Sequence, residues 1–129
     1  LEIYEEIKDG GTDEQKDLLF AWIADHSNKT ALLLQEEVNQ DHVTSCILQG
    51  YAADLTDQEL LQIGRDPFLI AYAMATPLDR CVVTNEVSSP KKLRQNRRVP
   101  DVCSMMGVDC YNTFQMTKAL GFKTGWKKP

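Results

Sequence analysis

DPFLIAYAMATPLDRCVVTNE, residues 66–86, is the stretch from which the fold is read. Asp66-Pro67 is a helix start, because Asp is a preferred N-cap and Pro lacks only an amide hydrogen that the first turn cannot use. From Phe68 to Ala75 the side chains are apolar almost all round. A helix with no polar face belongs inside a fold rather than on its surface. Cys81-Val82-Val83-Thr84 is then short, apolar and rich in β-branched residues, the composition of a strand buried in a parallel sheet. A buried helix followed by such a strand predicts an α/β fold, a short parallel sheet flanked by helices.

Upstream, Thr56-x-x-Glu59 is a capping-box pattern ahead of Leu60, Leu61 and Ile63, with Gly64 as the stop. Residues 36–51 read as a helix carrying Val38, Val43, Cys46, Ile47 and Tyr51 at three- and four-residue steps. Asp25 to Thr30 reads as a polar loop, and Ala31 to Leu34 as a short strand or the start of the next helix. Thr12-x-x-Gln15 opens another predicted helix, with a stripe of Leu18, Leu19, Trp22 and Ile23. Leu1 to Lys8 reads as the tail of a helix stopped by Gly10-Gly11. Downstream, Ser88-Ser89-Pro90 breaks the chain before a basic loop, KKLRQNRR (residues 91–98). Val99 to Met106 is a short predicted helix and Val108 to Tyr111 a last strand. The final helix begins at Asn112 or Thr113, runs through Leu120 and ends at Gly121.

The 129 residues are expected to form a single domain, residues 1–129, with a hydrophobic fraction of 43% that excludes a disordered chain. No apolar run nears the roughly 20 residues that cross a bilayer, and the acidic start LEIYEEIKDG lacks the apolar core of a secretory signal. No membrane partner and a cytoplasmic location are therefore expected. Opening on Leu1, inside an amphipathic pattern, suggests a fragment or a processed chain. Cys46, Cys81, Cys103 and Cys110 include no C-x-x-C pair and read as reduced, buried thiols; neither His26 nor His42 has a cysteine at zinc-ligand spacing.

Charge is unevenly placed. Residues 1–90 hold 17 acidic and 5 basic side chains, whereas residues 91–129 hold 2 acidic and 9 basic ones. A basic end on an acidic protein can hold a polyanion, since binding follows the local field. Within that end Lys91, Lys92, Arg94, Arg97 and Arg98 could carry a nucleic-acid backbone, with Lys123, Lys127 and Lys128 adding field and Trp126 a stacking face. The plainer reading is a solvated charge run.

Three acids stand in unusual settings. Glu6 borders the apolar face of the first helix, Asp66 opens the buried helix, and Glu86 follows the strand Cys81–Thr84. In open α/β sheets the carboxyl ends of strands and nearby helix N-termini line the ligand crevice. Taken singly, each is ordinary: a solvated helix residue, an N-cap and a turn residue.

In this order and spacing they resemble the PIN-domain family. The stretches that carry the resemblance are Glu6-Ile7-Lys8-Asp9-Gly10, Asp66-Pro67-Phe68-Leu69-Ile70-Ala71-Tyr72-Ala73 and Val82-Val83-Thr84-Asn85-Glu86. The tail Val99-Pro100-Asp101-Val102-Cys103, with Phe114 to Gly121, is similar to the end of an uncharacterised bacterial branch. The resemblance implies a three-layer PIN-like fold whose first strand, with its metal-binding Asp, would lie before Leu1. Glu86 stands where the family has Asp, one methylene shorter. It further implies a metal-dependent endoribonuclease, of the toxin kind found in bacterial toxin–antitoxin pairs. Glu6, Asp66 and Glu86 would hold Mg2+ or Mn2+, Thr84 would orient Glu86 or a water, RNA would be substrate and an antitoxin protein a partner. Clustered carboxylates suit such hard cations, which can activate water and stabilise displacement at phosphorus. Without the first Asp, a non-catalytic PIN-like module binding a protein or RNA is the alternative. An incomplete sheet edge beside apolar helices also suggests a homodimer.

Overall fold

Side-chain alternation in a three-residue strand sets the centre of the fold. Cys81–Val83 (β1) buries Val82 and turns Cys81 outward, so the expectation of a buried thiol fails at Cys81 because it lies on the opposite face of the strand from Val82. β1 pairs in parallel with Asp109–Tyr111 (β2), in the register Cys81 to Asp109, Val82 to Cys110 and Val83 to Tyr111. The amide of Thr84 extends the ladder by donating to the Tyr111 carbonyl at 2.9 Å. This is a computed structural model, and it describes residues 21–123 apart from Ile23. The expected helices at Leu1–Lys8 and after Thr12 lie outside the described residues, as does Glu6.

The chain is a mixed α/β protein, with six α-helices among the described residues and a short parallel sheet flanked by helices. It divides after Val38. Before the division lies His26–Leu32 (α1), where a polar loop was expected. Asp25 makes the difference: its carboxylate accepts from the amides of Ser27 at 3.0 Å and Asn28 at 3.3 Å, and so caps a helix of low apolar content. The run Ala31–Leu34 is the end of this helix and the extended residues that leave it.

After the division, Asn39 caps Gln40–Ser45 (α2) by accepting from Asp41 and His42, so the helix begins four residues later than residues 36–51 suggested. It continues as a π-turn, Cys46–Tyr51. Asp57–Ile63 (α3) has the expected capping box: Thr56 donates its amide to Glu59 Oε2 at 2.9 Å, and Glu59 donates back to Thr56 Oγ1 at 3.2 Å. Gly64, at φ 64°, ends it. Asp66–Ala75 (α4) follows with Arg65 at the cap position, so Asp66 is the first helical residue rather than the cap. Val99–Met106 (α5) and Thr113–Ala119 (α6) complete the order, the latter capped by Asn112 in a box with Gln115.

The core of residues 39–123 is built where α2, the π-turn, α4, α5 and β1 meet: Cys46, Ile70, Val102 and Cys103 are fully buried, with Val82, Val99, Ala73, Ile63 and Tyr51 around them. Gly50 lets the π-turn lie against α5, since a Cβ there would stand 2.6 Å from Val102 Cγ1. All four cysteines are free. Among the described residues no helix is long and apolar enough to cross a membrane.

Candidate functional site

Asp66 and Glu86 reach their positions by different local rules. The sharp turn at Gly64 delivers Asp66 in the first turn of α4, where the helix dipole favours a carboxylate. Glu86 stands three residues past β1. Its amide donates to Thr84 Oγ1 at 3.2 Å, a local turn that holds the strand exit. Its carboxylate crosses to α5, where Oε2 accepts from the Val99 amide at 2.8 Å. That bond matters to the fold, because α5 has no cap of its own from Arg98.

The two acids line one crevice of about 200 Å3, together with Tyr51, Lys92, Arg97 and Arg98. Sequence reading had grouped Glu6, Asp66 and Glu86 as one cation site beside the basic loop; of these acids Asp66 and Glu86 are described, and they line this crevice with Lys92, Arg97 and Arg98 of the loop. Electrostatics report the same convergence: burial first, then the charges of Asp66 and, further down, Glu86 push the Tyr51 phenol far above its ordinary value. Burial and Asp66 likewise push the Cys46 thiol up to about 12, so that thiol stays protonated and inert. Glu86 also borders a second pocket of about 270 Å3 at the carboxyl ends of β1 and β2, with Thr84, Asn85, Tyr111 and Asn112.

The basic loop divides into residues that build it and residues that face the crevice. Arg94, at φ 55°, forks onto Glu59 through Nε at 3.1 Å and Nη2 at 2.8 Å, and reaches Asp54 Oδ1 at 2.7 Å through Nη1. The guanidinium and the Thr56 amide hold the Glu59 carboxyl down at about 2. Arg97 donates to the Gly50 carbonyl and, at 3.4 Å, to the Asp101 carbonyl. Asp101 in turn accepts from the Ser88 hydroxyl and from the Ser89 amide at 2.8 Å, which fixes the entry to the loop. Arg94 is therefore a staple between the loop and α3 and does not line the crevice; Lys91 does not line it either. Lys92 and Arg98 do, and among the described residues neither has an ion-pair partner.

Tyr51 is the wall residue that sequence reading missed. It passed for one more apolar position of a helix, and its only local mark is the preceding Gly50. It is 7% exposed, and its hydroxyl is buried with no hydrogen-bond partner among the described residues.

The donor set suits a hard divalent cation in kind, because Asp66 and Glu86 bring carboxylate oxygens to one polar crevice. Among the described residues no group of three or more His, Cys, Asp or Glu side chains is placed to hold a metal ion, so these two acids are what the described part of the crevice offers. The family model described as "Domain of unknown function (DUF4411)" matches residues 1–124. No curated protein and no solved structure matches the chain.

Proposed function

The chain belongs to the DUF4411 family, and we propose that it is a metal-dependent endoribonuclease whose centre is the crevice between Asp66 and Glu86. The observation that carries this reading is the meeting of two acids, 20 positions apart in sequence, with three cationic side chains in one polar cleft. A phosphodiester backbone needs both kinds of wall. Lys92 and Arg98 draw its phosphates in and hold their charge, while the carboxylates face the reacting side. A divalent cation, Mg2+ or Mn2+, held by Asp66 and Glu86 would supply Lewis acidity toward the phosphoryl oxygens and toward a water. Thr84 steadies the turn that presents Glu86, and the Val99 amide orients its carboxylate. Glu6 is the further ligand implied by the PIN-domain resemblance. The toxin role, with an antitoxin partner, a cytoplasmic setting and a homodimer, rests on that resemblance and on the sequence features already given.

The test is cleavage of single-stranded RNA by the full-length protein with Mg2+ or Mn2+. Activity should vanish with a chelator and fall by about 100-fold or more in Asp66→Asn, the scale expected when a group acting at the transition state is removed. Undiminished cleavage in that variant would falsify the proposal.

A second reading has its own observation. Glu86 already serves as the cap of α5, and a carboxylate so engaged can be structural alone. The chain would then be a non-catalytic module that binds RNA or a protein through Lys92 and Arg98. RNA retention without cleavage, abolished by Lys92→Ala with Arg98→Ala, would favour it.

A further inference from the structure

A buried hydroxyl without a partner is rare in folded proteins and calls for a physical reason. Tyr51 is such a case: it packs in the hydrophobic core and also lines the Asp66–Glu86 crevice. Phenylalanine would fill the same volume and leave nothing unpaired. The Gly50 carbonyl takes Arg97 and Glu86 Oε2 takes the Val99 amide, and the phenol has no hydrogen-bond partner among the described residues. At cellular pH a phenol is neutral, so what Tyr51 offers is a proton to share.

From this we infer that the Tyr51 hydroxyl is a hydrogen-bond donor for a phosphate oxygen of the crevice's ligand. The inference rests on the phosphodiester reading and adds a binding residue to it. Lys92 and Arg98 attract the anion by charge, which acts over several ångströms and carries little directional information. A phenol donates along one direction, and packing holds this ring in place, since the residue is only 7% exposed. The pair of carboxylates, Asp66 and Glu86, repels an anion from its own side of the cleft, so a fixed donor elsewhere on the wall sets where the phosphate rests.

Tyr51→Phe in the full-length protein tests the inference through two measurements. The first is the melting temperature without ligand. The second is affinity for a short single-stranded RNA by fluorescence anisotropy in EDTA, where no metal-dependent cleavage proceeds. The variant should melt at or above the wild-type temperature, because it loses an unpaired polar atom, and should bind RNA about tenfold or more weakly. A melting temperature several degrees lower would mean that the hydroxyl has an internal partner, and would overturn the inference. Affinity within twofold of wild type would overturn it as well, while leaving the phosphodiester reading intact. Failure of the wild-type protein to bind the RNA both in EDTA and with Ca2+ in its place would instead remove that reading and this inference together.

Discussion

Replacing Gly50 with alanine should destabilise the protein, against the usual trend for a glycine in a helical segment. Gly→Ala within a helix ordinarily stabilises by about 0.5–1 kcal/mol through lost backbone entropy. Here the new Cβ would stand 2.6 Å from Val102 Cγ1, about 1 Å inside the 3.5–4.0 Å optimum for two carbons. Met106 Sδ, 3.6 Å away, is already at contact and can yield. Val102 cannot: it is fully buried and its branched side chain is stiff at χ1. Overpacking of this kind costs about 1–3 kcal/mol, so the net loss should be about 1–2 kcal/mol, a fall in Tm of roughly 5–10 °C for a chain of this size. The assay is urea and thermal unfolding of Gly50→Ala, Val102→Ala and the pair. Val102→Ala alone leaves a small cavity and also destabilises. The pair should cost no more than Val102→Ala alone, a compensating coupling of about 1 kcal/mol or more. A neutral Gly50→Ala, or costs that add within about 0.5 kcal/mol, would refute the packing account of the π-turn. The same shift should loosen the Gly50 carbonyl from Arg97 and disturb Tyr51, linking this contact to the crevice.

Acid should act on the Arg94 staple. Because the Glu59 carboxyl is held at about 2 in the folded chain and is ordinarily near 4.5, the unfolded state takes up its proton first. The contribution of Glu59 is thus complete above about pH 4.5 and lost as pH falls through about 2. The difference in urea midpoint between wild type and Glu59→Gln should shrink over that window, and a difference that does not change with pH would contradict the assignment. In RNA binding, Lys92→Ala and Arg98→Ala should each lower the salt slope of log K by about 1, whereas Lys91→Ala should leave it nearly unchanged. Equal effects of all three would mean that the loop acts only through net charge. Thiol labelling followed by mass spectrometry should modify Cys81 first and spare Cys46 and Cys103 until the protein unfolds, as their burial and raised thiol pKa require; early modification of Cys103 would sink that.

Much of the fold was legible because local rules and burial agree. The Thr56–Glu59 box, the Gly64 stop, the buried helix from Asp66 and the strands at Cys81 and Asp109 each carry a signal that tertiary contacts do not reverse. The α1 helix was not legible, since a polar stretch becomes helical there on the strength of an Asp25 cap rather than an apolar face. The π-turn escaped for a related reason. It depends on Gly50 meeting Val102, 52 positions later, and no local pattern encodes that approach. At the site, Asp66 and Glu86 could be picked out as acids beside a helix start and a strand end, and they do share a crevice. The division of labour among the arginines could not be, because Arg94 and Arg97 have the same composition as binding residues and differ only in what they touch. Tyr51 was hidden by its own apolar ring, which fits a helix stripe as well as a cleft wall.

Calorimetric titration of Mn2+ into the full-length protein, wild type against Asp66→Asn and Glu86→Gln, asks directly whether the two acids of the crevice share a cation. Wild type should bind saturably and each variant about tenfold or more weakly, the loss expected when one charged ligand of a shared ion becomes neutral. Binding of equal strength in all three proteins, or no binding in any, would contradict a shared site.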